Sequence, residues 1–163
     1  MNISTKKLLI VSNRLPVNVI RRGNLQFQPS SGGLATGLES LHKKYNNRWI
    51  GWPGIPPRNQ EEREIIIRKL DEKGMTPVFL NRQQIDNYYL GFSNRTIWPL
   101  FHYFPQYVKY NQAYWNSYRN VNVHFCDAVV ETAEKRDMIW IHDYQLMLLP
   151  AMIREKMPDV SIG

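Results

Sequence analysis

The stretch Leu8-Leu9-Ile10-Val11-Ser12-Asn13-Arg14 (LLIVSNR) decides the fold. Four apolar residues in a row, without polar alternation, describe a strand buried on both faces, as parallel sheets require. The apolar run stops at Ser12 and gives way to Asn13 and Arg14. A second run, Met138–Ile141 (MIWI), behaves the same way and ends in His142-Asp143-Tyr144. Between them, strand-like and helix-like stretches alternate. VNVI and LQFQ flank RRGN as a hairpin, RWIGW runs as a short strand into a Pro/Gly-rich loop, and TPVFL (Thr76–Leu80) reads as a further buried strand. Helical patterns cover LATGLESLHKKY after the glycine pair, Glu61 to Lys73 up to Gly74, and Asn81, as cap, through Tyr89. Further helices run from Val108 to Glu134, with Tyr114, Val121, Phe125 and Val129 inward, and from Leu146 to Met157, stopped by Pro158. VSIG opens another strand. Such alternation implies an α/β fold: a Rossmann-like parallel sheet with helices on both faces.

The bulk properties suit a single folded domain. Hydrophobic residues make up 43% of the 163, against 21% charged, which separates the chain from disordered sequences. One cysteine, Cys126, permits no internal disulfide and fits a reducing compartment. Leu8–Val11 is too short for a signal-peptide core or a membrane span, so a cytoplasmic protein without membrane attachment is expected. The net charge of +7 invites a nucleic-acid reading, but the basic residues never run beyond two together and acidic residues interleave with them. An anionic small molecule accounts for the same excess, and no nucleic-acid partner is expected.

In an open parallel sheet, ligands sit beyond the carboxyl ends of the strands. Arg14 and Asp143 follow two such ends. A guanidinium there, with no acid near it in sequence, suits bidentate binding of a phosphate; the bland alternative is a structural salt bridge. Asp143 offers a carboxylate to sugar hydroxyls, or else caps the helix that follows. His142 reads as a packed structural histidine. The Ser30–Leu38 stretch, SSGGLATGL, places Gly32 and Gly33 at a helix start, where close backbone approach and unpaired N–H groups favour an anion; a plain structural turn explains it equally. The patch from Tyr88 to Pro105 concentrates aromatics with polar edges, suited to sugar faces or to ordinary core. His102 and His124 lack partners in any metal-ligand spacing, so no metal site is expected.

Taken together, LLIVSNRLPV, SSGGLATGL, WIGWPG, PVFL, YYLGFSNRTIWPLFHY and IWIHDYQLMLLPAMIR resemble the N-terminal part of the trehalose-6-phosphate synthase family, in the same order across nearly the whole chain. GFSNRTIWPLFHY with WIHDYQL is the specific part. The resemblance implies a retaining glycosyltransferase of two facing Rossmann-like domains (the GT-B arrangement) that moves glucose from UDP-glucose to glucose 6-phosphate. It implies that Arg14 contacts the acceptor phosphate and that Tyr89, Trp98 and Asp143 hold the acceptor. Gly32 and Gly33 would cradle the donor. No protein nucleophile, metal or cofactor is implied, UDP-glucose being a substrate. The family pattern continues beyond VSIG into a His-Ile-Pro segment and a second, nucleotide-sugar domain. Residues 1–163 therefore read as a truncated acceptor-side domain, inactive alone. A related acceptor (another sugar or polyol phosphate) and a non-catalytic regulatory subunit are the competing functions. A homo-oligomer, or a complex with trehalose-phosphate phosphatase, is the assembly the resemblance suggests.

Overall fold

In the computed structural model, residues 7–30, 33, 37, 38 and 47–163 are described. Five strands form one parallel sheet in the order β5-β4-β1-β6-β7. They are β1 (Leu8–Arg14), β4 (Asn47–Trp52), β5 (Met75–Pro77), β6 (Met138–Ile141) and β7 (Ser161–Ile162). β2 (Val17–Arg22) and β3 (Asn24–Pro29) make the separate antiparallel hairpin, turning at Gly23 with φ 72°.

β1 is central, and its residues divide between two cores because side chains alternate along a strand. Leu9 and Val11 join Ile50, Trp52 and Ile139 on one face. Ile10 joins Trp49, and Trp140 packs against that second cluster on the other face. The first face is covered by α4 (Gln112–Thr132), through Tyr118, Val121, Phe125 and Val129, and by α5 (Leu149–Lys156), through Leu149 and Ile153. The second is covered by Val19 of the hairpin, by Leu38, and by Ile66 and Leu70 of α1 (Gln60–Asp71). Arg21 of the hairpin ties to α1 through a two-pronged ion pair with Glu62, at 2.7 Å from Nε and 2.5 Å from Nη2. That pairing holds the Glu62 carboxyl at about 2, the Arg21 hydrogen bond being the largest cause.

Four expectations need correction. TPVFL is not a strand throughout: β5 ends at Pro77, and Val78 makes a last ladder bond to the Gly51 carbonyl before the chain departs. Val78 and Leu80 are buried nonetheless. The apolar run reported burial correctly, but pairing with β4 ends with that Val78 bond, and burial does not require pairing. The helix capped by Asn81 is also longer than expected and of another kind. It starts as α2 (Arg82–Gln84), with a reciprocal Asn81–Gln84 capping box, and widens into a π-helix over Ile85–Ile97. It closes as α3 (Trp98–Phe101), where the Trp98 N–H bonds the Ser93 carbonyl five residues back. The buried positions Tyr88, Phe92 and Ile97 stand four and five residues apart, a spacing that a search for 3.6-residue periodicity does not register. The long helix expected from Val108 begins instead at Gln112, capped by Asn111. The one expected from Leu146 is a 3-10 turn (Tyr144–Leu146) followed by α5.

Candidate functional site

The site is built on the carboxyl rim of the sheet. β1 and β6 are parallel neighbours with Val11 opposite Ile141, and the His142 N–H donates to the Val11 carbonyl at 2.8 Å as one more rung. Arg14 lies three residues beyond Val11, and Asp143 two beyond Ile141. Both are exposed, and both leave the sheet from the same rim.

Asp143 takes φ 77° and ψ 164°, a backbone region that only glycine adopts freely. Its Oδ1 accepts from the Tyr144 N–H at 2.8 Å, so the capping role is real. That bond leaves most of the carboxylate's acceptor capacity unused. His142 packs its ring 4.5 Å from Trp140, and its Nε2 is buried without a hydrogen-bond partner. Burial pulls its pKa down against the opposing pull of Asp143.

Tyr144 connects Asp143 to the aromatic patch. Its hydroxyl donates to Asn94 Oδ1 at 3.1 Å and its ring lies 5.6 Å from Trp98. Trp98 is 48% exposed and stacks at 3.7 Å on His102. Burial pushes the Tyr144 hydroxyl up to about 12, with Asp143 and Tyr89 adding like-charge repulsion. Tyr89 and Asp143 therefore share one electrostatic neighbourhood with Tyr144. Tyr89 is half-buried, while Tyr88 is fully buried and donates to Asn13 Oδ1 at 3.0 Å.

Arg14 lies over the Trp52 ring, 4.9 Å from its centroid, and donates to Asn18 Oδ1 at 3.3 Å. Among the ion pairs of the described residues, none involves Arg14. The structural salt bridge weighed above is therefore not what holds it. Most of the guanidinium's five donors stay open for an oxyanion.

The donor-side expectation is less developed. Gly33 is helical and exposed, and an added Cβ would meet nothing within 4 Å. Gly32 falls outside the described residues. No group of three or more His, Cys, Asp or Glu that could hold a metal occurs among the described residues. Concavities of about 450 Å³ at the end of β5 and about 380 Å³ between α2 and α4 are lined by neither Arg14 nor Asp143. Trp52 and Tyr144 were not singled out from sequence. Each lies within a quoted motif, WIGWPG or WIHDYQL, but strand pairing brings Trp52 to Arg14, and packing of the π-helix on the turn after β6 brings Tyr144 to Trp98.

Comparison with known proteins identifies the family and the fold. Residues 6–163 match glycosyltransferase family 20. The UDP-forming alpha,alpha-trehalose-phosphate synthase of Botryotinia fuckeliana is 42% identical, over 98% of this chain and 32% of that one. A UDP-forming alpha,alpha-trehalose-phosphate synthase from Burkholderia xenovorans, solved in complex with glucose-6-phosphate, is 31% identical with a TM-score of 0.73, covering 96% of this chain and 32% of its own. The Escherichia coli protein bound with UDP-2-fluoro glucose is 28% identical with a TM-score of 0.72, covering 97% and 32%. The chain thus spans about a third of the length of these relatives.

Proposed function

The chain belongs to glycosyltransferase family 20, and on that premise we propose that it forms the acceptor side of a trehalose-6-phosphate synthase. The reaction moves glucose from UDP-glucose to glucose 6-phosphate, giving trehalose 6-phosphate and UDP. The observation carrying this reading is the shared rim: Arg14 and Asp143 leave adjacent parallel strands at the same end. A guanidinium without a carboxylate partner takes the acceptor phosphate. The Asp143 carboxylate accepts from the sugar hydroxyls, which fixes the attacking hydroxyl in orientation, and the edges of Tyr89 and Trp98 wall the ring. Gly32 and Gly33 take the donor diphosphate at the helix start.

These residues orient; none is placed as a nucleophile. Fixing two substrates face to face converts a bimolecular encounter into a near-unimolecular step, and dipoles aimed at the leaving diphosphate stabilise the charge that develops there. A single buried cysteine, Cys126, suits a reducing cytoplasm.

A UDP-release assay with UDP-glucose and a panel of sugar and polyol phosphates, on the protein as expressed from its gene, tests the reading. Preference for glucose 6-phosphate supports it. Preference for another phosphate moves the chain to a related acceptor, and binding without any UDP release makes it a regulatory subunit.

A further inference from the structure

The register of β1 against β4 contains an irregularity that governs where Arg14 points. Val11 pairs with Ile50, but the next pair is Arg14 with Trp52. Three steps on β1 match two on β4, so β1 carries one extra residue, a bulge in a parallel ladder. In a regular strand, residues an odd number of steps apart lie on opposite faces. Val11 belongs to the core beneath the π-helix, so a regular strand would turn Arg14 to the hairpin face. The extra residue instead brings Arg14 level with Trp52: the guanidinium lies over that ring at the rim, its Nη2 reaching Asn18 of the hairpin, and Leu15 is buried in the hairpin-side core.

Two features hold the bulge. The buried Ser12 hydroxyl accepts from the Trp49 indole N–H at 2.7 Å and donates to the Arg14 carbonyl at 2.8 Å. Across the ladder, β4 has Gly51, where an added Cβ would lie 2.9 Å from both the Ser12 carbonyl oxygen and the Leu15 nitrogen. Both are main-chain atoms, which cannot rotate aside. The bulge and a side chain at position 51 exclude one another.

We propose that Ser12 and Gly51 are positioning residues that act through Arg14: they hold the strand-tip bulge that sets the guanidinium over the Trp52 ring at the rim, where the acceptor phosphate binds. The inference rests on the phosphate role given to Arg14 above, but the direction of Arg14 can be read without any ligand. A guanidinium stem over an indole ring carries upfield-shifted Arg14 Hδ resonances in proton NMR. In Ser12→Ala, those resonances return to ordinary values while the amide fingerprint of β4 and β6 stays folded. Glucose 6-phosphate affinity falls about tenfold, the consequence of losing one charge-assisted hydrogen-bond set. Glucose affinity is unchanged, which a merely structural loss would not produce. Gly51→Ala reads the same bulge from the other strand and serves if Ser12→Ala does not fold; Ser12→Thr, which keeps the hydroxyl, retains the shift. Arg14 Hδ shifts in Ser12→Ala or Gly51→Ala equal to those of the wild type overturn the proposal. If the Arg14 signals respond to these substitutions but not to glucose 6-phosphate, the phosphate role falls and the positioning stands.

Discussion

The buried Tyr88 hydroxyl donates to Asn13 Oδ1 at 3.0 Å and so fastens the π-helix to the tip of β1. One bond thereby joins the element carrying Tyr89 and Trp98 to the strand carrying Arg14. Tyr88→Phe leaves the Asn13 carbonyl oxygen buried without that donor, at a cost of about 1–2 kcal/mol by urea unfolding. Acceptor affinity is expected to fall with it. Wild-type stability in Tyr88→Phe would show that the bond carries no load.

Gly91 lies in the π-helix where an added Cβ would be 2.7 Å from the ring of Tyr114 on α4. The contact is to the near atoms of a half-buried aromatic ring on the facing helix, so relief requires the ring or the helix to shift. Gly91→Ala is expected to destabilise by about 1–3 kcal/mol. Gly91→Ala combined with Tyr114→Leu should lose less than the two single losses summed, because the neighbours share one volume. Full additivity would contradict the packing described.

Asp143 combines a strained backbone with an exposed carboxylate that caps Tyr144. Asp143→Gly removes strain on the order of 1–3 kcal/mol but also the cap on Tyr144 and some unfolded-state restraint. Its melting temperature should therefore lie close to wild type, while acceptor binding is lost. A deep drop in melting temperature would mean that Asp143 is chiefly structural.

The legible and illegible parts of this fold divide on physical grounds. β1 could be read because burial on both faces writes itself as an unbroken apolar run, β6 by a similar run although only Ile139 of it is fully buried, and their polar ends marked Arg14 and Asp143. The π-helix could not, since Tyr88, Phe92 and Ile97 follow a wider turn than the pattern sought. TPVFL was half legible: its burial was plain, but the ladder stops at Val78, short of the end of the apolar run. The bulge was invisible because nothing in LLIVSNR shows the extra residue; only the partner strand, through Gly51, reveals it. Trp52 became a site neighbour through strand pairing and Tyr144 through packing of the π-helix, neither of which local spacing encodes.

The Arg21–Glu62 pair gives the fold a pH dependence of known sign. Glu62 titrates near 4.5 when unpaired and at about 2 in the folded chain. A carboxyl lowered by folding contributes stability above its unfolded value and loses it as pH falls from about 4.5 toward 2. Glu62→Gln should cost about 1–2 kcal/mol at pH 7, given a two-pronged but partly solvated pair. It should also flatten the urea midpoint between pH 4.5 and 2. An unchanged acid slope in Glu62→Gln would assign that slope to other carboxylates.

The phosphate role of Arg14 is tested most directly by calorimetric titration of the wild type and of Arg14→Ala with glucose 6-phosphate and with glucose. Removing the guanidinium should weaken glucose 6-phosphate binding about 10- to 100-fold, the range for a charge-assisted pair, and leave glucose binding as it was. Equal affinity of both proteins for glucose 6-phosphate would take Arg14 out of the site and the proposed acceptor with it.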